Sequence, residues 1–131
     1  MAGSFSDLAE SRVLTWLLTT NSATRPTAWH LALFTTAPTD AGGGTEVSGG
    51  SYARKAVTFS ISGTGPTTAT NSAAVEFDAA SASWGTVVAV GVFDASTGGN
   101  MLAWGDLTTS RAISSGDIFR VPAGDLDITL D

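Results

Sequence analysis

The fold is decided by one apolar stretch of the sequence, TVVAVGVFD, which occupies residues 86–94. Side chains of a strand alternate between the two faces of a sheet, and apolar residues occupy both alternating sets here. This pattern is typical of a strand covered on both faces, so the stretch predicts a central strand. A turn signal with two glycines follows at residues 96–100, and residues 101–107 are then expected to return antiparallel.

The segments on both sides of this hairpin also have the character of strands. Residues 27–35 (TAWHLALFT) are uncharged and apolar on both faces, whereas residues 53–61 alternate and place Val57, Phe59 and Ile61 on one face. Shorter strands are predicted at residues 73–77, 111–113, 118–121 and 126–130, with a turn joining 111–113 to 118–121. The last strand is expected to point Leu126, Ile128 and Leu130 inward and Asp125, Asp127, Thr129 and Asp131 outward. Residues 37–51 and 62–71 are predicted to be long loops.

One helix is expected, at residues 4–19. Ser4 and Asp7 fit a capping box, in which a serine hydroxyl and a carboxylate satisfy free backbone N–H groups at the start of a helix. Apolar residues then recur at helical spacing: Phe5, Leu8, Ala9, Val13, Trp16 and Leu17. Leu14 and Leu18 widen this stripe beyond what a solvated surface helix needs.

The length of 131 residues favours a single domain, residues 1–131, with the helix at 4–19 and the β-region at 27–131. Short strands separated by turn signals at this spacing indicate a mainly β fold. We therefore predict an antiparallel β-sandwich or jelly roll with one N-terminal α-helix.

The composition excludes several classes of protein. Six Lys and Arg residues oppose twelve Asp and Glu, and the basic residues are scattered, so no nucleic-acid partner is expected. No apolar run approaches the ~18 residues of a membrane span, and no secretory pattern follows Met1, so a soluble protein without a membrane partner is expected. Cysteine is absent, which removes disulfides, thiolate catalysis and cysteine-ligated zinc.

The sequence offers no complete catalytic or metal-binding set. His30 is the single histidine and lies in an apolar strand, where a structural or partner-contacting role is expected. Glu76 and Asp78 share a strand face, as do Asp125 and Asp127, and a spacing of ~7 Å could suit glycoside hydrolysis or calcium binding. Outward charge on edge strands explains both pairs without a ligand. We therefore expect no enzymatic activity, no catalytic or metal-binding residue and no cofactor.

Partner contacts are the alternative to catalysis. Trp29 and Trp104 are expected in the core, whereas Trp84 stands at a loop edge and could anchor an interface or, as a second possibility, stack on carbohydrate. The helix and the two long loops are predicted to carry the other contacts. The predicted contact residues are Phe5, Leu14, Leu18, Gly43, Glu46, Tyr52 and Trp84.

Four long segments carry a family resemblance. They are LALFTTAPTD (31–40), GGSYARKAVTF (49–59), WGTVVAVGVFDA (84–95) and SSGDIFRVPAGDLDITL (114–130). These segments resemble a family of small virion proteins of tailed bacteriophages, whose members are usually named phage tail fibre protein or virion structural protein. The resemblance covers nearly the whole chain and brings no catalytic residues with it.

The resemblance implies a virion component that is assembled in the host cytoplasm. The main hypothesis is a capsid decoration or cement protein that bridges capsid subunits, with the major capsid protein or other virion proteins as partners. A homotrimer or another homo-oligomer is the expected state. The alternative is a tail-tip, baseplate or tail-fibre-associated protein involved in host attachment, and an enzyme such as a depolymerase is a third hypothesis. The chain has no collagen-like tract and no heptads, so we do not expect it to form an extended fibre shaft.

Overall fold

A computed structural model describes residues 1–130. The chain begins with strand β1 (Ala2–Phe5) and helix α1 (Asp7–Leu18). The further strands in this part of the chain are β2 (His30–Thr36), β3 (Thr45–Glu46), β4 (Lys55–Ala56), β5 (Phe59–Ser62), β6 (Thr67–Asn71), β7 (Val75–Glu76), β8 (Gly85–Phe93), β9 (Met101–Ile113), β10 (Arg120–Val121) and β11 (Asp127–Leu130). This mainly β architecture with one helix near the N-terminus confirms the predicted fold class.

Most strands belong to one nine-stranded sheet. Its order is β3–β2–β8–β9–β1–β11–β6–β5, and β4 also pairs with β2. Strands β7 and β10 form a separate two-stranded sheet. β8 lies between β2 and β9 and pairs antiparallel with both. The predictions of a central strand at residues 86–94 and of an antiparallel return after it are therefore confirmed.

Strand β1 joins the two halves of the large sheet. Ala2 and Gly3 pair parallel with β11, and Ser4 and Phe5 pair antiparallel with β9. A Cβ on Gly105 of β9 would clash with the Ala2 carbonyl oxygen, so the close approach of β1 to β9 requires glycine at this position. Because β1 changes its partner along its length, the sheet turns over a shared interior, as in a sandwich. One apolar cluster accordingly contains residues from both halves.

The helix starts later than predicted because residues 2–5 form β1. Ser6, and not Ser4, caps the helix: its Oγ accepts a hydrogen bond from the Ala9 N–H at 3.2 Å. The same hydroxyl donates to the Met101 carbonyl oxygen at 2.6 Å, and the Ser6 N–H donates to the Leu102 carbonyl. The start of α1 is therefore attached to β9.

The region of residues 53–71 differs from the prediction in two ways. Residues 53–61 are not one strand, because β4 pairs with β2 whereas β5 pairs with β6. Val57 is buried between them, but Ile61, predicted on the same face, is exposed. The predicted loop at 62–71 contains β6, which forms a hairpin with β5 and also pairs with β11. Threonine suits a strand as well as a loop, and the distant partner β11 decides between the two.

The C-terminal third brings two further corrections. Residues 111–113 are not a separate strand, because they end the 13-residue strand β9 and pair with β8. The predicted turn that follows them is present, since the Asp117 N–H donates to the Ser114 carbonyl, but it leads to β10, which pairs with β7. In the last strand, Leu126 and Ile128 are buried as predicted. Leu130 is exposed because it lies at the end of the β11–β6 ladder. Asp131 lies outside the described residues.

Candidate assembly surface

Helix α1 exposes four large apolar side chains to solvent. Leu14, Trp16, Leu17 and Leu18 are between 56% and 72% exposed, and Ala9 is the buried residue of the helix. At 100° per residue, two carboxylates in the first turns and three leucines in the second half lie on one side of α1, about 80–180° from Ala9 around the helix axis. We call this side the α1 ridge; its residues are Asp7, Glu10, Leu14, Leu17 and Leu18.

A cavity of about 530 Å³ lies along the other side of the helix. We call it the α1 groove; its lining residues are Phe5, Ala9, Arg12, Val13, Trp16, Ala23, Thr24, Arg25, Pro26, Trp29 and Leu102. Phe5, Arg25, Trp29 and Leu102 also line a second cavity of about 450 Å³, which reaches Ile61 and Ile128. The groove therefore continues from the helix to the edge of the apolar core, where Val92 and Ile128 line the second cavity.

The charges of the groove and of the ridge are opposite in sign. Arg12 and Arg25 line the groove, whereas Asp7 and Glu10 belong to the exposed ridge. Arg12 Nη1 lies 3.8 Å from Asp94 Oδ2, which is too long for a hydrogen bond, and it has no hydrogen-bond partner within residues 1–130. Arg25 is exposed and makes no ion pair with any of those residues.

The structure brings together only part of the predicted contact set. Leu14 and Leu18 lie on the ridge, and Phe5 lines the groove on the opposite side of the same helix. Gly43 lies elsewhere, in the exposed loop after β2, where a Cβ would meet open space but a φ of 81° favours glycine. These four residues stay predictions as partner contacts.

Glu46 and Tyr52 belong instead to a polar cluster around Arg54. Arg54 Nε and Nη2 each donate to one oxygen of the Glu46 carboxylate at 2.8 Å. Arg54 Nη1 donates to the carbonyls of Ala95 and Gly98, and the guanidinium lies 3.8 Å from the centre of the Phe93 ring. The side chain thereby ties β3, β4 and the turn after β8 together.

The same cluster shifts the pKa values of its members. Burial by itself raises the pKa of the Glu46 carboxyl, but the hydrogen bonds from Arg54 and Tyr52 and the Arg54 charge outweigh it, and the pKa is lowered. Burial is also the main reason that the pKa of Tyr52 is raised, and its hydrogen bond to Glu46 adds to this effect. The Tyr52 hydroxyl donates to Glu46 Oε1 and accepts from the Leu33 N–H. These contacts explain both residues as structural parts of this chain.

Trp84 is a core residue and not an exposed interface anchor. It is only 5% exposed, and its ring packs edge-on against Tyr52 and Phe77. The indole N–H donates to the Gly50 carbonyl at 2.9 Å, so its one polar group is satisfied inside the chain. The neighbouring Ser83 and Gly85 suggested a loop edge, but the loop carrying Gly50 covers the ring. A partner or a sugar could reach this side chain only after that loop had moved.

Three residues of the groove were not predicted as site residues: Trp29 was expected in the core, Trp16 in the apolar stripe of the helix, and Arg25 had no predicted role. Trp29, expected in the core, is 36% exposed and lines both cavities with Arg25. Trp104, also expected in the core, is half-buried, and its indole N–H donates to Asp40 Oδ1 at 2.8 Å. The available signal was an arginine in the polar stretch 21–27, four residues before a tryptophan near the start of the predicted strand.

The groups considered for catalysis lie apart from one another, in strands or in contact with other side chains. His30 pairs with Phe93 and Ala56 in the sheet, and its Nδ1 is buried without a hydrogen-bond partner among residues 1–130. Asp78 pairs with Lys55 Nζ at 2.8 Å, and Asp127 Oδ1 accepts from the Thr70 hydroxyl at 2.7 Å. Within residues 1–130, no three His, Asp or Glu side chains converge as a metal site would require. No helix in that range has the length and hydropathy to cross a bilayer.

The fold and this surface define a class: a small β protein whose helix carries apolar side chains that its own core leaves uncovered, as in a subunit of a larger assembly. A comparison with protein families agrees with this class. The family model described as "Podophage GP4 fiber I protein gp80" matches residues 4–129. The chain therefore belongs to this family of phage fibre proteins and is a structural protein of the phage particle. No curated protein sequence gives a significant match.

Proposed function

We propose that the protein is a non-enzymatic component of the phage tail, part of or attached to a tail fibre, with a role in host attachment. The observation that carries the proposal is the family match over residues 4–129, because the family is described as a fibre protein. The same match supports the hypothesis of a capsid decoration protein less well. Other virion proteins of the tail are then the partners, and assembly takes place in the host cytoplasm.

The arrangement of polar groups supports a structural role. The polar cluster around Arg54 joins three segments of the chain, and both oxygens of its Glu46 carboxylate already accept hydrogen bonds from Arg54 and Tyr52. Among residues 1–130, four of the eight exposed large hydrophobic side chains lie on α1, where a partner protein is a better match than a polar substrate.

Quantitative mass spectrometry of purified particles tests the location. Heads and tails are separated, and the copy number of this chain is compared with that of the major capsid protein. We expect the chain in the tail fraction at a small fraction of the capsid copy number. A copy number comparable to that of the capsid protein, in the head fraction, would overturn the tail proposal and restore the decoration hypothesis.

Two assays test the role itself. Particles that lack the protein are expected to keep intact, DNA-filled heads but to adsorb poorly to host cells. Heads that lose DNA on heating, together with normal adsorption, would contradict the proposal. Incubation of the purified protein with host surface polysaccharide is expected to release no fragments, and cleavage would contradict a non-enzymatic role.

A further inference from the structure

We propose that copies of this chain associate head to tail, with the α1 ridge of one copy seated in the α1 groove of the next. This inference goes beyond the proposed function, because it holds wherever in the particle the protein is located. The occupant of the groove is a second copy of this chain, and the contact consists of apolar side chains flanked by opposite charges.

The second half of α1 needs cover that the rest of residues 1–130 does not supply. Its last five residues are three leucines, a tryptophan and a threonine, yet the buried residue of α1 is Ala9, in its first half. A 12-residue helix has little stability of its own in water, so its second half depends on packing. The rest of residues 1–130 covers less than half of Leu14, Leu17 and Leu18. A neighbouring molecule would supply the missing cover.

Charge complementarity also favours contact between two copies. The chain has a net charge of -6, so two copies repel each other unless positive groups stand at their contact. Arg54 and Lys55 make ion pairs at 2.8 Å with carboxylates of their own chain, whereas Arg25 and Arg111 make none within residues 1–130. Arg25 is exposed in the groove and has no such partner among residues 1–130, so the groove can receive carboxylates.

The ridge offers its charges and its leucines at a suitable spacing. Glu10 precedes Leu14 by one helical turn, about 5.4 Å. We expect Leu14 and Leu18 to contact the apolar lining of the next copy's groove, and Glu10 to pair with Arg25, which lines the same groove. One docking mode therefore places apolar groups on apolar groups and pairs charges of opposite sign.

The positions of the ridge and the groove determine the type of assembly. The ridge and the groove are different surfaces on opposite sides of one helix, so the contact is heterologous. Each copy then contributes its ridge to one neighbour and its groove to another, and such contacts close into a ring when the rotation between copies allows it. A single type of contact thus covers both sides of α1 in every copy.

The test measures the mass of the purified chain in solution by sedimentation equilibrium over a range of concentrations. We expect the wild-type chain to associate. The double variant Leu14→Ser/Leu18→Ser loses the ridge, and Arg25→Glu places a negative charge in the groove. We expect the ridge variant to weaken association by about a hundredfold or more, because two leucines lose their burial. Arg25→Glu should weaken it by about tenfold, because an attraction between charges becomes a repulsion. Ile118→Ser is the matched control, since Ile118 is similarly exposed (54%) but does not line the groove, and it should associate like the wild type.

Mixing the two defective chains gives the sharpest result. The ridge variant keeps an intact groove and the groove variant keeps an intact ridge, so an equimolar mixture is expected to form a one-to-one heterodimer. Circular dichroism first verifies that each variant is folded. The proposal is overturned if the wild type stays monomeric at all concentrations, including when it instead binds another virion protein. It is equally overturned if the variants associate as the wild type does, or if the mixture stays monomeric.

Discussion

Replacement of Arg54 by methionine should destabilise the fold far more than its surface-like charge suggests. The Arg54 side chain is only 7% exposed, and its guanidinium makes two hydrogen bonds to Glu46 and two to the carbonyls of Ala95 and Gly98. Arg54→Met keeps the aliphatic stem but leaves the Glu46 carboxylate with Tyr52 as its hydrogen-bond donor in the cluster. Stranding one partner of a buried ion pair costs about 3–5 kcal/mol, and since Glu46 is partly exposed we expect about 2–4 kcal/mol.

The neighbouring residue provides the control for this experiment. Lys55 carries the same charge and also makes a 2.8 Å ion pair, but its partner Asp78 is largely exposed. Exposed pairs contribute about 0–1 kcal/mol, so Lys55→Met should change the free energy of unfolding little. Both variants are unfolded in urea and followed by tryptophan fluorescence, with Trp84 reporting on the core beside Tyr52.

A double-mutant cycle separates the pair from its surroundings. Glu46→Gln and Arg54→Met are combined, and the double variant should be less destabilised than the sum of the two single variants, because neither charge is then left without the other. Equal and small losses for Arg54→Met and Lys55→Met, below about 0.5 kcal/mol, would refute the reasoning that Arg54 joins the three segments.

Three further predictions concern pH and the core. The pKa of Glu46 is lowered in the fold, so the contribution of this carboxylate to stability is complete above its ordinary pKa of 4.5 and is lost as the pH falls through the lowered pKa of the folded state. The urea midpoint of the wild type should fall over that acidic range, and the midpoint of Glu46→Gln should fall less. The pKa of Tyr52 is raised, so its contribution is complete below 10.0 and is lost as the pH rises further; Tyr52→Phe should flatten this alkaline loss of the urea midpoint. Phe77→Ala should cost about 3–5 kcal/mol in calorimetry, because Phe77 packs against three aromatic rings; a cost below about 1 kcal/mol would show that the core closes over the gap.

The sequence does not reveal that Asn71 is buried and holds distant segments of the chain together. The stretch around it is rich in threonine and glycine, and it predicts a loop. In the fold, the Asn71 side chain is buried, donates to the carbonyls of Ala73 and Pro122, and accepts from the Leu126 N–H. The amide thereby connects segments far apart in the chain, and no local pattern encodes partners at such separations.

The elements with a strong local signal were predictable. Residues 86–94 and 27–35 carry apolar side chains on both faces, and they are the neighbouring strands β8 and β2 in the middle of the sheet. The helix was predicted from its apolar spacing, although its first residues are a strand. Two other strands carry no such signal, because β6 begins with polar residues and β1 has only four residues. Their strand character comes from distant partners: β6 pairs with β11, and β1 pairs with β11 and β9.

The candidate assembly surface was predicted only in part. The excess of leucines on the helix pointed to partner contacts at Leu14 and Leu18, and both are exposed. The sequence could not show that Trp16 and Trp29 line a groove or that Trp84 is covered by the loop of Gly50. Exposure depends on which distant segment covers a side chain, and a tryptophan has the same local pattern in either case.

The sequence by itself determined the mainly β class, the central hairpin, the single helix and, through four long segments, the likeness to phage virion proteins. These features depend on residue periodicity and turn chemistry, which act over a few neighbouring residues. The tertiary structure decided which strands pair, how β1 changes from one partner to the other, and which sides of α1 stay uncovered. Those outcomes depend on hydrogen bonds and burial between segments up to the length of the chain apart, such as Met1 with residue 125, and such contacts exist only once the chain has folded.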